Sequence, residues 1–365
     1  MAIEMTETEL QRKFDEEYQN ASLQYRKRPN ILVCGYTGSG KSSLIKAILG
    51  EVVPDTAIGD GKPKTMEFDH YENDLISIWD SRGMELGDTE TQFVEYARGF
   101  INGRVKDMNI DNHIHLVWYA IQGTGARITD CDIKLIKEIF TTKNLVVVIT
   151  KSDCTRAQQK EALKQRLLDS GIDEDRIIFT SDAEGGFIGC KELMALSLEM
   201  LPAAYKDAFA YAQQVDVERR KQAVLNKRDK AKGIIISAST AAAAAGAVPI
   251  PFSDAAVITP IQVGMLGGLA ALYALNREEL SVLSMPLITR TVGMLTASSL
   301  LKLFPGFGSV INGSVATLLT GAMGWFVQTQ FERLAVAKVL GLPPPEINFD
   351  FNAFKSFLDE YKKAN

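Results

Sequence analysis

Residues 31–49 read ILVCGYTGSGKSSLIKAIL, and this stretch decides the fold. Ile31, Leu32, Val33 and Cys34 form a short apolar run, the pattern of a strand buried on both faces. GYTGSGKS at 35–42 then fits G-x-x-x-x-G-K-S/T, and SLIKAIL continues with apolar residues at helical spacing. Strand, glycine-rich turn and helix in that order make a phosphate cradle. Gly35, Gly38 and Gly40 let backbone N–H groups wrap a phosphate at the positive end of the helix. Thr37, Ser39 and Ser43 complete the contact set of the loop. Lys41 is placed to bridge β- and γ-phosphates, and Ser42 to ligate Mg²⁺.

Outward from this loop, apolar runs recur at 75–79 (LISIW), 114–121 (IHLVWYAI), 145–149 (LVVVI) and 177–180 (IIFT). Amphipathic helical stretches separate them, near 89–102, 128–141, 155–169 and 189–200. Apolar strands alternating with helices predict a doubly wound, mostly parallel α/β sheet covered on both faces. That domain spans 29 to about 205.

A phosphate loop does not name the base, but TKSD at 150–153, at the end of LVVVI, does. An aspartate at this point accepts two hydrogen bonds from guanine N1 and the 2-amino group. Adenine lacks that donor pair, so Asp153 is expected to select GTP. Lys151 would lay its aliphatic stem over the base. Thr150 stands where asparagine is commoner and can still tie this loop to the phosphate loop. WDSRG at 79–83 supplies Asp80 as a Mg²⁺ ligand through water and Gly83 as the amide that senses the γ-phosphate. The polar segment 51–68 suits an ordered/disordered switch. Thr65 is the first choice within it for a further Mg²⁺ ligand, with Thr56 as runner-up. Ser181, after the strand IIF, is placed to contact the guanine carbonyl. Lys41, Thr65 and Gly83 are therefore the catalytic candidates, and Ser42, Thr65 and Asp80 the metal ligands.

Met84 follows Gly83, where a glutamine orients the attacking water in Ras-like enzymes. Methionine cannot do so, and slow basal hydrolysis is expected. A partner residue, the nucleotide, or a neighbour such as Ser81 or Glu85 must position the water instead.

These motifs resemble those of the septin-like branch of P-loop GTPases that includes Era and the tRNA-modifying GTPase. The GxTGSGKSS loop and TKxD motif are especially similar to those of immunity-related GTPases and chloroplast-import-receptor GTPases. The resemblance covers roughly residues 29–200. It implies GTP/GDP and Mg²⁺ as ligands, and self-association across the nucleotide face. Potassium-stimulated members carry an asparagine where this loop has Gly38, so potassium is not expected to supply catalytic charge.

The rest of the chain has a different character. Residues 7–27 space Leu10, Phe14, Tyr18 and Leu23 as one amphipathic helix, and 1–28 is taken as a separate N-terminal segment. Residues 206–232 read as one long charged linker helix, with seven basic and three acidic residues in 216–232. Beyond, 233–365 is an apolar helical domain ending in an amphipathic helix near 351–363. Residues 233–250 hold 18 uncharged residues and 255–275 a further 21, lengths that approach a bilayer span. The basic cluster sits where a juxtamembrane cluster would. Gly313, Ala316, Gly321 and Gly324 offer small residues for close helix approach. VPIPFSDAAVITPIQVGMLGGLAALYAL at 248–275 resembles the membrane-associated helical module of bacterial GTPases of the YcjF and YeeP type. LFPGFGSVINGSVATLLTGAMGWF at 303–326 is similar to a glycine-rich hairpin of the same module. A tightly packed bundle that crosses no bilayer remains the competing reading, since prolines and Gln262 interrupt these runs.

Composition narrows the function classes. Of 365 residues 46% are hydrophobic, enough for sizeable cores in two domains. Residues 206–365 hold 16 basic and 12 acidic residues, a net of +4, so the first 205 carry −9 of the overall −5. An acidic nucleotide domain without a basic, aromatic-interleaved module argues against nucleic acid as partner. Four cysteines without a CxxC pair and only three histidines argue against structural zinc and for reduced thiols. Residues 1–28 have no secretory pattern, and a cytoplasmic protein is expected, peripheral or integral at the inner face of a membrane. His113 and His115, Trp118 and Tyr119 read as structural, and Asp130 and Asp132 as helix caps. The leading expectation is a GTPase whose nucleotide state controls dimerisation and a membrane-associating helical domain. A GTP-dependent assembly module with hydrolysis as a timer, and an assembly GTPase of the Era kind, are the alternatives.

Overall fold

The computed structural model describes residues 6–25, 27–50, 68–72, 75–81, 90–125, 127–138, 144–183, 186–246, 254–275, 313–346 and 351–364. Thr56, Thr65, Gly83, Met84 and Glu85 lie outside these. The chain forms two compact units, residues 27–220 and residues 1–26 with 221–365.

In the first unit, six strands form one sheet: β1 (Asn30–Cys34), β2 (Phe68–Glu72), β3 (Ser77–Ser81), β4 (Leu116–Gln122), β5 (Leu145–Thr150) and β6 (Ile177–Phe179). Their order is β2-β3-β1-β4-β5-β6. Every neighbouring pair is parallel except β2 with β3. The helices between them are α2 (Lys41–Leu49), α3 (Glu90–Val105), α4 (Asp130–Glu138), α5 (Ala157–Asp169), α6 (Cys190–Met200) and α7 (Ala203–Ala212). This is the doubly wound α/β fold that the apolar runs predict.

Alternation within the strands builds a core on each face. Leu32 and Cys34, Val117, Tyr119 and Ile121, and Val147 and Ile149 pack with Phe93, Ala97, Leu135 and Leu163 of α3, α4 and α5. Ile31 and Val33, Trp118, and Val146 and Val148 pack on the other face with Ile45, Leu193 and Phe209 of α2, α6 and α7. Both faces being covered explains why these strands show no polar alternation. A short hairpin escapes the sequence pattern: β7 (Ser181–Ala183) pairs antiparallel with β8 (Gly186–Ile188). Three-residue strands hold too few side chains to show a period.

The expected single helix over 206–232 is instead three: α7, α8 (Val217–Leu225) and the start of α9 (Lys227–Gly246). The break at 213–216 is chemical. The Gln213 side chain donates to the carbonyls of Ala210 and Asp216 and accepts the Asp216 N–H at 2.8 Å. Asp216 Oδ1 then accepts the Arg219 N–H at 3.0 Å, a helix cap that stops α7 from running through.

The second unit is helical. It comprises α1 (Glu7–Tyr25), α9, α10 (Asp254–Leu272), α11 (Gly313–Val339) and α12 (Phe351–Ala364), with the end of α8. The N-terminal segment thus belongs with the C-terminal helices. Glycines set the closeness of α9, α10 and α11. A Cβ at Gly313 would lie 2.9 Å from the Ala243 carbonyl oxygen, and one at Gly324 would lie 2.7 Å from Ile235 Cγ1. Glu332 is buried in α11, its charge met by both guanidinium arms of Arg228 and by Gln328, which also donates to Tyr273. Among the described residues, no helix is long and apolar enough to cross a membrane.

Candidate nucleotide-binding site

The phosphate loop leaves β1 at Gly35 and enters α2 at Lys41. Gly35, Gly38 and Gly40 all have positive φ, at 145°, 79° and 83°. Gly35 is fixed twice over, since a Cβ there would lie 2.2 Å from the Ala120 carbonyl oxygen. No other residue fits that crossing of β1 and β4. Gly40 is the N-cap of α2 and offers no side-chain cap, so the helix N-terminus stays open to an anion.

Lys41 is buried, and its Nζ donates to the carbonyls of Gly35 and Tyr36, both at 3.1 Å. Burial lowers its pKa, and the nearby Asp80 carboxylate opposes that shift. An ammonium parked on backbone carbonyls has only weak partners to leave when a phosphate arrives. Asp80, in β3, is buried in turn, and desolvation lifts its carboxyl to about 6 against the pull of Lys41 and the Ser42 hydroxyl. The Ser42 Oγ donates to Asp80 Oδ2 at 3.2 Å, while Oδ1 is buried with no partner among the described residues. A serine hydroxyl beside a carboxylate with a free oxygen is a donor set for a hard cation, so these residues fit Mg²⁺. The third expected ligand, Thr65, and the γ-phosphate sensor Gly83 fall outside the described residues.

The base-reading loop is bolted to the phosphate loop. Thr150 ends β5, and its hydroxyl donates to the Ser39 carbonyl at 2.6 Å. Lys151 adopts the left-handed conformation, φ 53°, and its Nζ donates to the Gly38 carbonyl at 3.2 Å. Asp153 follows on an exposed turn, with the Cys154 thiol donating to its Oδ2 at 3.3 Å. The Ser152 N–H donates to the Thr180 carbonyl at 3.0 Å, which carries Ser181 alongside. The Ser181 Oγ is buried and without a partner among the described residues, as is that of Ser39. The structure therefore brings Gly35, Thr37, Gly38, Ser39, Gly40, Lys41, Ser42, Ser43, Asp80, Thr150, Lys151, Asp153 and Ser181 to the C-terminal ends of β1, β3, β5 and β6, where such sheets bind ligands.

Supports that the sequence reading did not single out lie one shell behind. Gly123 follows β4, and a Cβ there would lie 2.4 Å from Thr155 Oγ1, which itself holds the Lys151 carbonyl at 3.0 Å. Gly189 begins α6 so close to β6 that a Cβ would lie 1.9 Å from the Phe179 carbonyl oxygen. The Tyr36 hydroxyl pairs with Thr129 Oγ1 at 3.0 Å, linking the phosphate loop to the start of α4. A glycine directly after a strand was the available signal for the first two.

The residues expected to be structural are so. Thr129 and Asp132 cap α4 reciprocally, at 2.7 and 3.1 Å. Trp118 and Tyr119 are fully buried in β4. His115 Nδ1 accepts the Asn30 N–H at 2.9 Å at the far end of the sheet, and burial drives its pKa down to about 4.

Comparison with known proteins agrees with the motifs. Residues 89–185 match the family model described as Septin. Septin-2 of Bos taurus is 28% identical over 172 residues, covering 40% of this chain and 47% of that protein. Septin-1 of Drosophila melanogaster is 25% identical over 162 residues, covering 38% of this chain and 45% of that protein. The chain thus spans about half the length of the curated relatives it matches. Among solved structures, Toc33 of Arabidopsis thaliana in complex with Mg²⁺ and GMPPNP aligns at 17% identity and TM-score 0.33, over 56% of this chain and 94% of that one.

Proposed function

The nucleotide unit is a septin-like P-loop GTPase domain, and we propose that the chain binds GTP, hydrolyses it to GDP and phosphate, and uses the nucleotide state to control dimerisation and a membrane-associating helical unit. One observation carries the reading: the Thr150 hydroxyl on the Ser39 carbonyl at 2.6 Å, which couples a guanine-reading aspartate to a phosphate loop. Base and phosphate must be held together for a nucleoside polyphosphate to bind as one ligand.

Each residue then has a part. The α2 N-terminus and loop amides take the β-phosphate, and Lys41 leaves its backbone carbonyls for the β- and γ-oxygens. Ser42 and Asp80, with Thr65, would hold Mg²⁺, which supplies charge neutralisation at those oxygens. Asp153 reads N1 and the 2-amino group, Lys151 covers the base, and Ser181 meets the carbonyl. Met84 cannot orient water, so a second chain closing over the phosphates is expected to complete the site by excluding solvent and fixing dipoles. For the helical unit, support comes from the uncharged stretch 255–275 and the seven basic residues of 216–232.

Titration calorimetry with GTP, GDP and ATP in Mg²⁺ tests the core of this reading. Micromolar or tighter binding of the guanine nucleotides with none for ATP is expected. Equal affinity for ATP overturns it.

A further inference from the structure

α10 holds no charged side chain from 255 to 275, and Ile258, Val263, Leu266, Leu269 and Leu272 along it are buried. Part of that burial comes from α1, which lies against α10 at backbone distance. A Cβ at Gly267 would fall 2.5 Å from the Phe14 carbonyl oxygen and 3.1 Å from the Tyr18 nitrogen. At Gly264 it would fall 3.2 Å from Glu17 Cγ. The Tyr18 hydroxyl donates to the Leu275 carbonyl at 2.6 Å, closing the far end.

The hold of α1 is nonetheless shallow. Of its side chains only Leu10 and Phe14 are buried apolar ones, and Leu23 is 81% exposed. Against them stand the Gln11 Oε1 and Ser22 Oγ, both buried on α1 without a partner among the described residues. Gln262 Oε1 on α10 is in the same state. Orphaned oxygens offset a large part of what two apolar side chains contribute. The outer face of α1, with Glu9, Arg12, Asp15 and Glu16, is equally at home in water.

We propose that α1 is a removable cover and that the face of α10 beneath it is a docking surface for an anionic lipid bilayer; this rests on the membrane reading above. Two features favour lipid as the occupant. The uncovered strip is small and aliphatic, without the polar rim that a protein partner meets. The adjacent helix α9 opens with Lys230 and Lys232, both exposed, which suit anionic headgroups. Pro260 and Gln262 within α10 favour lying in the interface over crossing it.

The test uses the full chain. Gly267→Leu puts a branched side chain where the Phe14 carbonyl sits and should evict α1. Glu17→Cys with Gly264→Cys should lock α1 down, because a sulfur at the Glu17 Cγ position stands near the distance of about 3 Å that a disulfide sets between one sulfur and the other Cβ. The locked chain carries Cys154→Ser, so that the exposed native thiol cannot compete. Hydrogen exchange at residues 7–25 reports release of α1. Flotation with phosphatidylserine-containing vesicles, and with phosphatidylcholine alone, reports docking.

Gly267→Leu is expected to lose protection in α1 and bind the anionic vesicles about tenfold more tightly, since apparent affinity follows the fraction of uncovered chains. The oxidised lock should bind less than wild type and recover on reduction. If α1 is released and vesicle binding stays at the wild-type level, or if the lock binds as well as its reduced form, the cover is refuted while membrane binding by another surface stands. If α1 is released and no variant, wild type included, binds any vesicle, the membrane reading fails as well. Self-association of Gly267→Leu without vesicles, seen by light scattering, would replace the lipid by a second copy and also overturn the proposal.

Discussion

Replacing Thr150 by valine removes one oxygen and keeps the shape. The lost bond, 2.6 Å to the Ser39 carbonyl, is short and buried, and it joins residues 111 positions apart in the chain. Removing one partner of such a bond leaves the other desolvated and costs about 1–3 kcal/mol. How that cost appears depends on what the bond does. If it only stabilised the unit, the loss would show in unfolding and nucleotide affinity would hold. If it sets the spacing between base loop and phosphate loop, the cost falls on ligands that use both loops. GDP and GTP should then bind about 5- to 150-fold more weakly. Guanosine and pyrophosphate, each using one loop, should bind as before. Thr150→Ser restores the hydroxyl and should restore affinity. Competition against a fluorescent GDP reads all four ligands in each variant. Unchanged GDP affinity in Thr150→Val, with the unit folded, would refute the idea that this tether couples the two halves of the site.

Four further outcomes are expected. Lys41→Ala and Ser42→Asn each remove a phosphate or metal contact and should abolish turnover; unchanged turnover in either means the phosphate-loop assignment is wrong. Asp153→Asn exchanges an acceptor for a mixed group, and should weaken guanine nucleotides while favouring xanthine nucleotides, read by calorimetry with GDP and XDP. His115 is held at about 4 against 6.5 when unfolded, so the unfolded chain takes up its proton first as pH falls; stability should be full above pH 6.5 and fall by up to about 3 kcal/mol towards pH 4, and a His115→Gln variant should lack this component in urea titrations. Hydrolysis per molecule should rise with protein concentration if a second chain completes the site that Met84 leaves open, whereas a flat rate over a hundredfold dilution, with monomers throughout, argues for completion within one chain.

Most of the nucleotide unit was legible because its signals are local. A run such as LVVVI must be covered on both faces, and the sheet places β5 at an interior position between β4 and β6. The phosphate loop needs three left-handed or near-extended positions, and only glycine adopts them without strain. Even the role of Thr150 could be anticipated, since a hydroxyl at the end of that strand has one neighbouring loop to reach. What stayed hidden depends on partners distant in sequence. Nothing in the string QQVD marks a helix break until Gln213 is seen to turn its amide back on Ala210 and Asp216. Gly123 and Gly189 looked like ordinary loop glycines, although each marks a backbone crossing too close for a Cβ.

The helical unit shows the same limit more sharply. Hydropathy alone reads 255–275 as a stretch seeking any apolar surroundings, and cannot tell a bilayer from a neighbouring helix. The structure supplies the neighbour, and it comes from the opposite end of the sequence. α1 carries the helical period that the first residues predict, but its apolar stripe has only a few side chains and would be marginal alone. Its stability must come from α10, and the glycines of α10 are spaced to admit its backbone. Each helix is therefore half of an arrangement that neither half specifies. The argument has a functional edge. A pairing in which one helix is amphipathic and tolerates water, while the other is uncharged and does not, is asymmetric on opening. When the pair separates, α1 loses little, and α10 requires a new apolar partner.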